Sequence, residues 1–206
     1  IETLDLEEPR ADELRVRIAA VGLCHTDVAG QQGIFGYEHH FVLGHEGAGV
    51  VEAVGSAISG VAPGDRVVIS FRSCGHCAMC DKGLPPYCHD MPLLNYAGVR
   101  PDGSSSLSRD GELVHSNFFG QSSFATHCLT YERNVVKIPD DLPFEVASLL
   151  GCGVQTGAGA ILKSMDCAPG SSLLVAGGGT VGLSAVMAAA IRGCSSCSRT
   201  SSPCVR

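Results

Sequence analysis

Alternating apolar and polar positions mark the first three quarters of the chain. Residues 14–21 alternate leucine, valine and isoleucine with arginine, the pattern of a half-buried strand. Further apolar, β-branched segments predict strands at 47–54, 65–71, 124–131 and 134–138. Many short strands separated by glycine and proline turns predict a barrel-like β domain over residues 1–150.

Near residue 145 the spacing of apolar residues changes from that of strands to that of helices. Alanine and leucine recur at helical spacing over 144–150 and 156–165, and a short apolar strand follows at 172–176. Glycines and a helix over 183–191 then complete a β–turn–α unit, so residues 151–194 are predicted to begin a parallel sheet. The serine-rich segment 102–110 predicts a loop, and the polar residues 195–206 predict no strand.

Composition narrows the function classes. A net charge of -7 without any basic run disfavours nucleic acid. The longest apolar runs are too short to span a bilayer, and no signal peptide is visible, which predicts no membrane partner. The first residue is Ile1 rather than Met, which suggests that the amino terminus lies upstream. Among the 11 cysteines, Cys74, Cys77, Cys80 and Cys88 lie too close together to pair easily as disulfides and are spaced as metal ligands, which predicts a reducing compartment, the cytoplasm.

The strongest motif is a cluster of four cysteines in the lobe 71–92. Cys74, Cys77, Cys80 and Cys88 are separated by two, two and seven residues. Four thiolates at this spacing can surround one zinc ion and leave no position for water, which defines a structural site. The alternative is a set of free, buried cysteines.

A second ligand set is dispersed along the chain. Cys24, His45 and Cys152 together offer three ligands and leave one corner of a zinc tetrahedron free, as catalytic zinc requires. Taken alone, Cys24 is more typical of a buried core cysteine.

Several segments resemble the zinc-containing medium-chain alcohol dehydrogenases in order and spacing, from residue 1 to about 194. They are 22–27 (GLCHTD), 44–50 (GHEGAGV), 63–68 (PGDRVV) and the four-cysteine lobe. The segments 118–124 (FFGQSSF) and 151–157 (GCGVQTG) resemble the aryl-alcohol, benzyl-alcohol type branch. The resemblance implies an α+β fragment: a GroES-like catalytic domain over 1–150, then the start of a Rossmann NAD-binding domain.

The resemblance also implies roles at the metal site. Cys24, His45 and Cys152 would bind the catalytic zinc, which would lower the pKa of an alcohol before hydride passes to the nicotinamide. Thr26 would take the hydroxyl proton. Asp27 would orient His45 and Glu46 would lie near the zinc, unless both are ordinary surface acids.

Further residues follow from the same resemblance. His25 falls at a contact to the cofactor pyrophosphate, although a neutral surface histidine fits equally, and Thr156 falls among the cofactor contacts. The histidine that ends the family's proton relay is replaced by Ala29, so the last step would use water or another residue. Phe71, Phe118 and Phe119 would line the substrate pocket, with plain core phenylalanine as the alternative.

A glycine-rich motif follows the strand at 172–176 and opens a helix. Gly177, Gly179 and Gly182 fit the dinucleotide-binding spacing, with Val181 among the contacts. The chain is therefore expected to bind two zinc ions and NAD, with NADP not excluded, and to oxidise a primary, aromatic alcohol to its aldehyde. Relatives form homodimers or homotetramers, mostly through the cofactor domain.

The pattern is lost after Cys194, and the acid expected about 20 residues past the glycines is absent. This predicts a truncated chain of weak or no activity. A one-base shift in reading frame would permit Leu-Ala-Asp-Ile-Val-Pro, which suggests a frameshift over 195–206; a genuine terminus is the alternative. The Cys194–Cys197 pair is read as accidental.

A non-catalytic, zinc-binding GroES-like module remains an alternative function. The seven ligands disfavour a zinc-free quinone reductase.

Overall fold

The structure is a computed structural model that describes residues 1–37 and 40–199. It divides into two compact units, Ile1–Gly151 and the residues from Cys152 onward. The fold is the α+β arrangement that the sequence predicts, with antiparallel sheets in the first unit and a parallel βα unit in the second. The frameshift hypothesis falls partly on residues 200–206, which lie outside the described residues.

Antiparallel strands form the first unit. They are β1 (Asp5–Leu6), β2 (Glu13–Val21), β3 (Gly47–Val54), β4 (Arg66–Ile69), β5 (Leu107–Arg109), β6 (Glu112–Val114), β7 (His127–Tyr131) and β8 (Val135–Lys137). Five of them make one sheet in the order β7-β2-β3-β4-β8, and three make a second in the order β1-β5-β6.

Short helices connect these strands. They are α1 (His25–Gln31), α2 (Ala78–Asp81), α3 (Met91–Tyr96) and α4 (Phe144–Leu149), with single 3-10 turns at Pro85–Tyr87, Phe118–Gly120 and Glu132–Asn134. The connection between β2 and β3 contains α1, and the connection between β4 and β5 contains α2 and α3. The predicted metal ligands of this unit therefore lie at strand ends and in these connections.

The core of the first unit explains the alternation in the sequence. Leu14 and Val16 are fully buried on one face of β2, and they pack with Val51, Val67 and Ile69 of the neighbouring strands. Arginines on the opposite face of β2 stay at the surface and pair with glutamates. Alternation thus marks the face that is removed from water.

The strand prediction at 124–131 begins too early. β7 starts at His127, because the N–H groups of Ser123 and Phe124 donate instead to the carbonyls of Gly44 and Leu43, at 2.9 Å each. The predicted loop at 102–110 is also partly wrong. Its last residues form β5 between β1 and β6, where Leu107 is buried.

A buried ion pair ties the segment between α3 and β5 to β2. Arg100 donates to both carboxylate oxygens of Glu13, at 2.6 and 2.9 Å, and both residues are only 2% exposed. Arg100 also donates to Glu7 at 2.7 Å, and Tyr131 donates to Glu13 at 3.3 Å. A buried charge with this many partners is costly to uncouple.

The second unit contains a parallel pair of strands. α5 (Gln155–Gly159) and a π-helical turn (Ala160–Ser164) lead to β9 (Ser172–Ala176), α6 (Thr180–Ile191) and β10 (Ser195–Arg199). β10 pairs with β9 in parallel from Ser195 opposite Ser172 to Arg199 opposite Ala176. The prediction that residues 195–206 contain no strand is therefore wrong, because strand pairing satisfies backbone groups whatever the side chains are.

One helical stretch has the length and composition of a membrane span. Phe144–Ser164 covers 21 residues, including the π-helical turns Leu150–Val154 and Ala160–Ser164, with a mean hydropathy of 1.2 in its most apolar window. Its first part, α4, packs on β2, β3 and β4, and Ala147 and Ser148 are buried there. Packing against the sheet accounts for the apolar character of that part of the stretch.

Replacing Glu13→Gln should destabilise the first unit by about 3–5 kcal/mol, because Arg100 keeps its buried charge and loses its partner. Burial raises the pKa of Glu13, but the bonds and charge of Arg100 lower it by more, so the folded pKa lies below the ordinary value. The wild-type pair therefore stabilises the fold above about pH 4.3 and is lost as the pH falls through the folded pKa.

Urea denaturation at several pH values measures this effect. The Glu13→Gln variant should lose most of the acid-dependent part of the wild-type stability. Glu8→Gln is the matched control, because Glu8 is 80% exposed and pairs with Arg15 at the surface; a surface pair contributes less than about 1 kcal/mol. Equal destabilisation by the two variants would contradict the prediction.

Candidate metal centres and cofactor loop

The four-cysteine cluster is brought together as the sequence predicts. The sulfurs of Cys74 and Cys80 lie 4.0 Å apart, as do those of Cys77 and Cys88. Zinc with four sulfur ligands at about 2.3 Å would place the sulfurs about 3.8 Å apart. The cluster therefore has the dimensions of a closed tetrahedral site.

The surroundings shift the pKa values of two cysteines of this cluster in opposite directions. N–H groups of Cys80 and His89 donate to the Cys77 sulfur and lower the pKa of Cys77 to about 6. The His76 N–H group lowers the pKa of Cys74, but partial burial and the neighbouring thiols raise it by more, to about 12. Four thiolates so close together need a cation to balance them, which fits zinc.

The buried carboxylate of Asp27 organises the second site. It is 1% exposed and accepts three hydrogen bonds: from the Cys24 N–H at 3.1 Å, the Gly44 N–H at 3.0 Å and the His45 Nδ1 at 3.0 Å. Asp27 is thus no surface acid. A single side chain fixes the backbone at Cys24 and the ring of His45.

His45 presents one ring nitrogen that the protein does not satisfy. The residue is 1% exposed, and its Nε2 is buried without a hydrogen-bond partner in the described part of the chain. Burial lowers the pKa of His45, but the Asp27 carboxylate and the Cys24 sulfur raise it by more, to about 9. A buried nitrogen left in this way fits a metal ligand, and metal binding would displace a proton from it.

Other polar side chains lie close to His45. Ligand atoms of Cys24, His45 and Glu46 lie within 4.8 Å of one another, and the Cys24 sulfur lies 3.7 Å from the Thr26 hydroxyl. Glu46 is 2% exposed, so it is not a surface acid either. Cys152 is the first residue of the second unit and is joined by a peptide bond to Gly151.

The backbone before His45 requires glycine. Gly44 has a φ of +93°, and a side-chain carbon there would lie 2.3 Å from the backbone nitrogen of Phe124. This close approach lets the 42–44 segment pair with the loop that follows Phe118.

Two of the three predicted pocket phenylalanines contact His45. The ring centroid of Phe119 lies 4.5 Å from that of His45, in a stacked arrangement, and the centroid of Phe118 lies 5.7 Å away, edge-on. Phe71 is half-buried and makes no ring contact with His45 among the described residues. Sequence reasoning missed Phe35 and Tyr96, whose rings contact Phe118 and Phe119 at 5.4 and 5.2 Å.

Residues with predicted cofactor roles occupy exposed positions. His25 is the first residue of α1 and is exposed, and Thr156 is exposed on α5. Ala29, at the position of the missing relay histidine, lies within α1. The exposure of His25 suits a contact to a ligand and a plain surface histidine equally.

The glycine motif forms a tight turn within the second unit. Gly177 has a φ of +109°, and Gly179 caps the amino terminus of α6 in an extended conformation. A side-chain carbon at either glycine would meet nothing within 4 Å, which leaves space in front of the helix terminus. Gly182 packs against the Gly177 carbonyl, and Val181 is 44% exposed. This open turn suits a pyrophosphate.

A GroES-like barrel, a four-cysteine lobe and a glycine turn that opens a parallel βα unit together define a medium-chain dehydrogenase. Residues 10–140 match the family model described as the alcohol dehydrogenase GroES-like domain. The chain belongs to the zinc-containing medium-chain alcohol dehydrogenase family, as the motifs predict.

Similar proteins include a geraniol dehydrogenase of Castellaniella defragrans, 51% identical over 92% of this chain and 51% of that protein. An alcohol dehydrogenase zinc-binding domain protein from Burkholderia ambifaria has a TM-score of 0.90 at 47% identity, over 93% of this chain and 52% of that one. Benzyl alcohol dehydrogenase from Acinetobacter calcoaceticus has a TM-score of 0.88 at 41% identity, over the same shares, 93% and 52%. The chain thus spans about half the length of these relatives.

Replacing Cys77→Ser should remove about one zinc per chain and unfold the lobe, because the closed site holds a segment with little core of its own. Metal analysis and limited proteolysis of the lobe measure both effects. Cys128→Ala is the matched control: this thiol is 3% exposed and burial raises its pKa to about 12, so it stays neutral and binds no metal. Loss of zinc from the control, or full zinc content in Cys77→Ser, would contradict the assignment.

Proposed function

We propose that this chain carries the metal centres and the first cofactor-binding unit of a zinc-dependent, NAD-linked dehydrogenase that oxidises a primary, aromatic alcohol to its aldehyde. The observation that carries the proposal is the state of His45. Its Nδ1 is held by a buried carboxylate, and its buried Nε2 has no hydrogen-bond partner among the described residues. This is the arrangement that orients a histidine toward a metal.

Cys24, His45 and Cys152 would hold the catalytic zinc, and Cys74, Cys77, Cys80 and Cys88 would hold the structural one. Zinc in the first site would lower the pKa of an alcohol hydroxyl, and NAD would accept the hydride. The Ser70 hydroxyl donates to the carbonyl of Gly151 at 2.8 Å. This bond fixes the residue that precedes Cys152 in the chain.

The protein's own residues would handle the proton. The Thr26 hydroxyl can accept a proton from the substrate hydroxyl and donate its own onward. Asp27 keeps a proton on Nδ1 of His45, so that the lone pair of Nε2 is available for a ligand bond. Because Ala29 cannot titrate, we propose that the proton leaves Thr26 through water or another residue.

Substrate and cofactor classes follow from the walls of the site and from the relatives. Phe119 is half-buried and stacks on the ring of His45, and the buried Phe118 contacts His45 edge-on. An aromatic surface at this place favours a flat, apolar substrate. Two of the similar proteins are a geraniol and a benzyl alcohol dehydrogenase. We propose NAD as the cofactor, with NADP as an alternative, a pyrophosphate contact by His25, and further contacts by Thr156, Gly177, Gly179, Val181 and Gly182. We also propose a reducing, cytoplasmic setting and a homo-oligomer of the whole protein.

A non-catalytic zinc-binding module is the second candidate, because the chain spans only about half of its relatives. Zinc analysis with NAD titration separates the two: two zincs with NAD binding support the dehydrogenase, and two zincs without it support the module. For the 206-residue chain alone we expect weak oxidation of benzyl alcohol, well below the roughly 10 per second of typical enzymes. Most remote cofactor contacts would come from other strands.

Mild chelation should remove about one zinc per chain. The four-cysteine site is closed and should resist chelators, whereas the His45 site has an open position. His45→Ala should keep the fold and the structural zinc and lose only the other ion. His127→Ala, which alters a surface histidine paired with Glu52, is the control and should keep both zincs. Equal loss from both sites of the wild-type chain would contradict this division.

Gly179→Ala should weaken NAD binding by at least tenfold without unfolding the chain. The added carbon meets no protein atom within 4 Å and projects into the space where the pyrophosphate would lie. Gly159→Ala in α5 also meets nothing within 4 Å and is the matched control. Calorimetric titration with NAD measures both variants, and equal affinities would contradict a cofactor role for this turn.

A further inference from the structure

The buried amide of Gln121 has no role in the metal and cofactor sites proposed so far. Gln121 is 1% exposed and follows the turn that carries Phe118 and Phe119. Its side chain points into the protein rather than toward solvent, and it uses both ends of the amide. A buried amide costs free energy unless its donor and acceptor atoms are hydrogen-bonded.

The amide contacts the backbone on both sides of Glu46. Its Oε1 accepts from the Gly47 N–H at 3.1 Å, and its Nε2 donates to the His45 carbonyl at 2.9 Å. Nε2 also donates to the Ser70 carbonyl at 3.3 Å. The segment that carries His45 is therefore held to the end of β4 by one side chain.

Ser70 extends this connection. Its hydroxyl donates to the carbonyl of Gly151 at 2.8 Å, and Cys152 is the next residue in the chain. The hydrogen bonds thus run from the His45 carbonyl through Gln121 and Ser70 to Gly151. Two segments that carry proposed zinc ligands are tied together by polar side chains that bind no metal themselves.

The loop that supplies Gln121 is conformationally fixed. Asn117, Phe119, Gly120 and Ser122 all have positive φ, between 52° and 67°. The Ser122 hydroxyl donates to the Val42 carbonyl at 2.7 Å and accepts from the Phe118 N–H at 2.9 Å. Positive φ costs free energy at residues other than glycine, and it persists where the surroundings over-determine it. The amide is therefore presented in one position.

We propose that Gln121 is a positioning residue that, with Ser70, holds the His45 and Gly151 segments at the spacing the zinc ligands need before metal arrives. The inference rests on the proposed zinc site. An amide suits this role because it accepts and donates at once. A methionine would remove the amide's bonds to three backbone groups, and a glutamate would place a second acceptor oxygen against the carbonyls of His45 and Ser70.

The test compares the two zinc sites within one molecule. Gln121→Met, Gln121→Glu and Ser70→Ala are purified as the 206-residue chain and titrated with a chelator, so that the structural zinc serves as an internal reference for folding. Co²⁺ loaded into the open site reports its ligand geometry through its visible spectrum. Ser123→Ala is the matched control: Ser123 lies two residues further on, is fully buried, and its hydroxyl has no hydrogen-bond partner among the described residues.

We expect Gln121→Met and Gln121→Glu to bind the open-site zinc roughly 10–100-fold more weakly, as for other residues that support metal ligands. The structural zinc should be unchanged, and the cobalt spectrum altered. Ser70→Ala should lose affinity in the same direction by a smaller factor, and Ser123→Ala should match the wild-type chain.

A ratio of the two zinc affinities within threefold of wild type in Gln121→Met overturns the inference, as does an equal loss in Ser123→Ala. If Gln121→Met does not fold, Gln121→Glu is read in the same way, and if neither folds the Ser70→Ala ratio decides. A wild-type chain that holds only one zinc overturns the proposed function, and this inference with it. Two zincs in the wild type with unchanged variants overturn the inference alone.

Discussion

The carboxylate of Asp27 is the constraint on which the first unit's candidate active site depends. Removing a negative charge from water is costly unless donors replace the lost solvation, and here three donors do so. Those donors come from Cys24, the N-cap residue of α1, and from the segment that leads into β3. The hydrogen bonds that solvate the carboxylate therefore also assemble the site. If either segment moved away, Asp27 would lose hydrogen bonds that replace water.

The ligands of the two candidate metal centres are held in position in different ways. In the four-cysteine lobe, the ligands themselves and nearby N–H groups form the site, with little apolar core around it. At His45 the support is a buried carboxylate, a barrel sheet and a ring of aromatic side chains. The four-cysteine site holds a surface segment in place. At the other site, the surrounding fold positions His45 and leaves its Nε2 available for a ligand bond.

Local patterns predicted a large part of this structure. Alternation located β2, because one face of that strand is buried, and an apolar, β-branched run located β3. The cysteine spacing located the lobe, because four ligands lie close in sequence. β5 and β10 were missed, since Ser108 and Ser195 pair through backbone groups that leave no trace in hydropathy.

Contacts between distant segments could not be predicted from the sequence. Phe35 contacts Phe118, which lies 83 residues further along the chain. Tyr96 contacts Phe119, which lies 23 residues further along. The bonds of Gln121 likewise join residues 51–76 positions apart. No period or spacing rule reports such pairings, which depend on how the strands are arranged in space.

The left-handed turn at Phe119 has a consequence for anyone who redesigns this protein. The aromatic wall and the buried amide sit two residues apart on a backbone with a single available shape. Making space beside His45 by shortening Phe118 or Phe119 would relax the loop that also supports the segment after Gly44. A variant library at positions 118 and 119 would therefore change both the room for a substrate and the support of the His45 segment. Variants selected for a bulky substrate are expected to bind the metal more weakly.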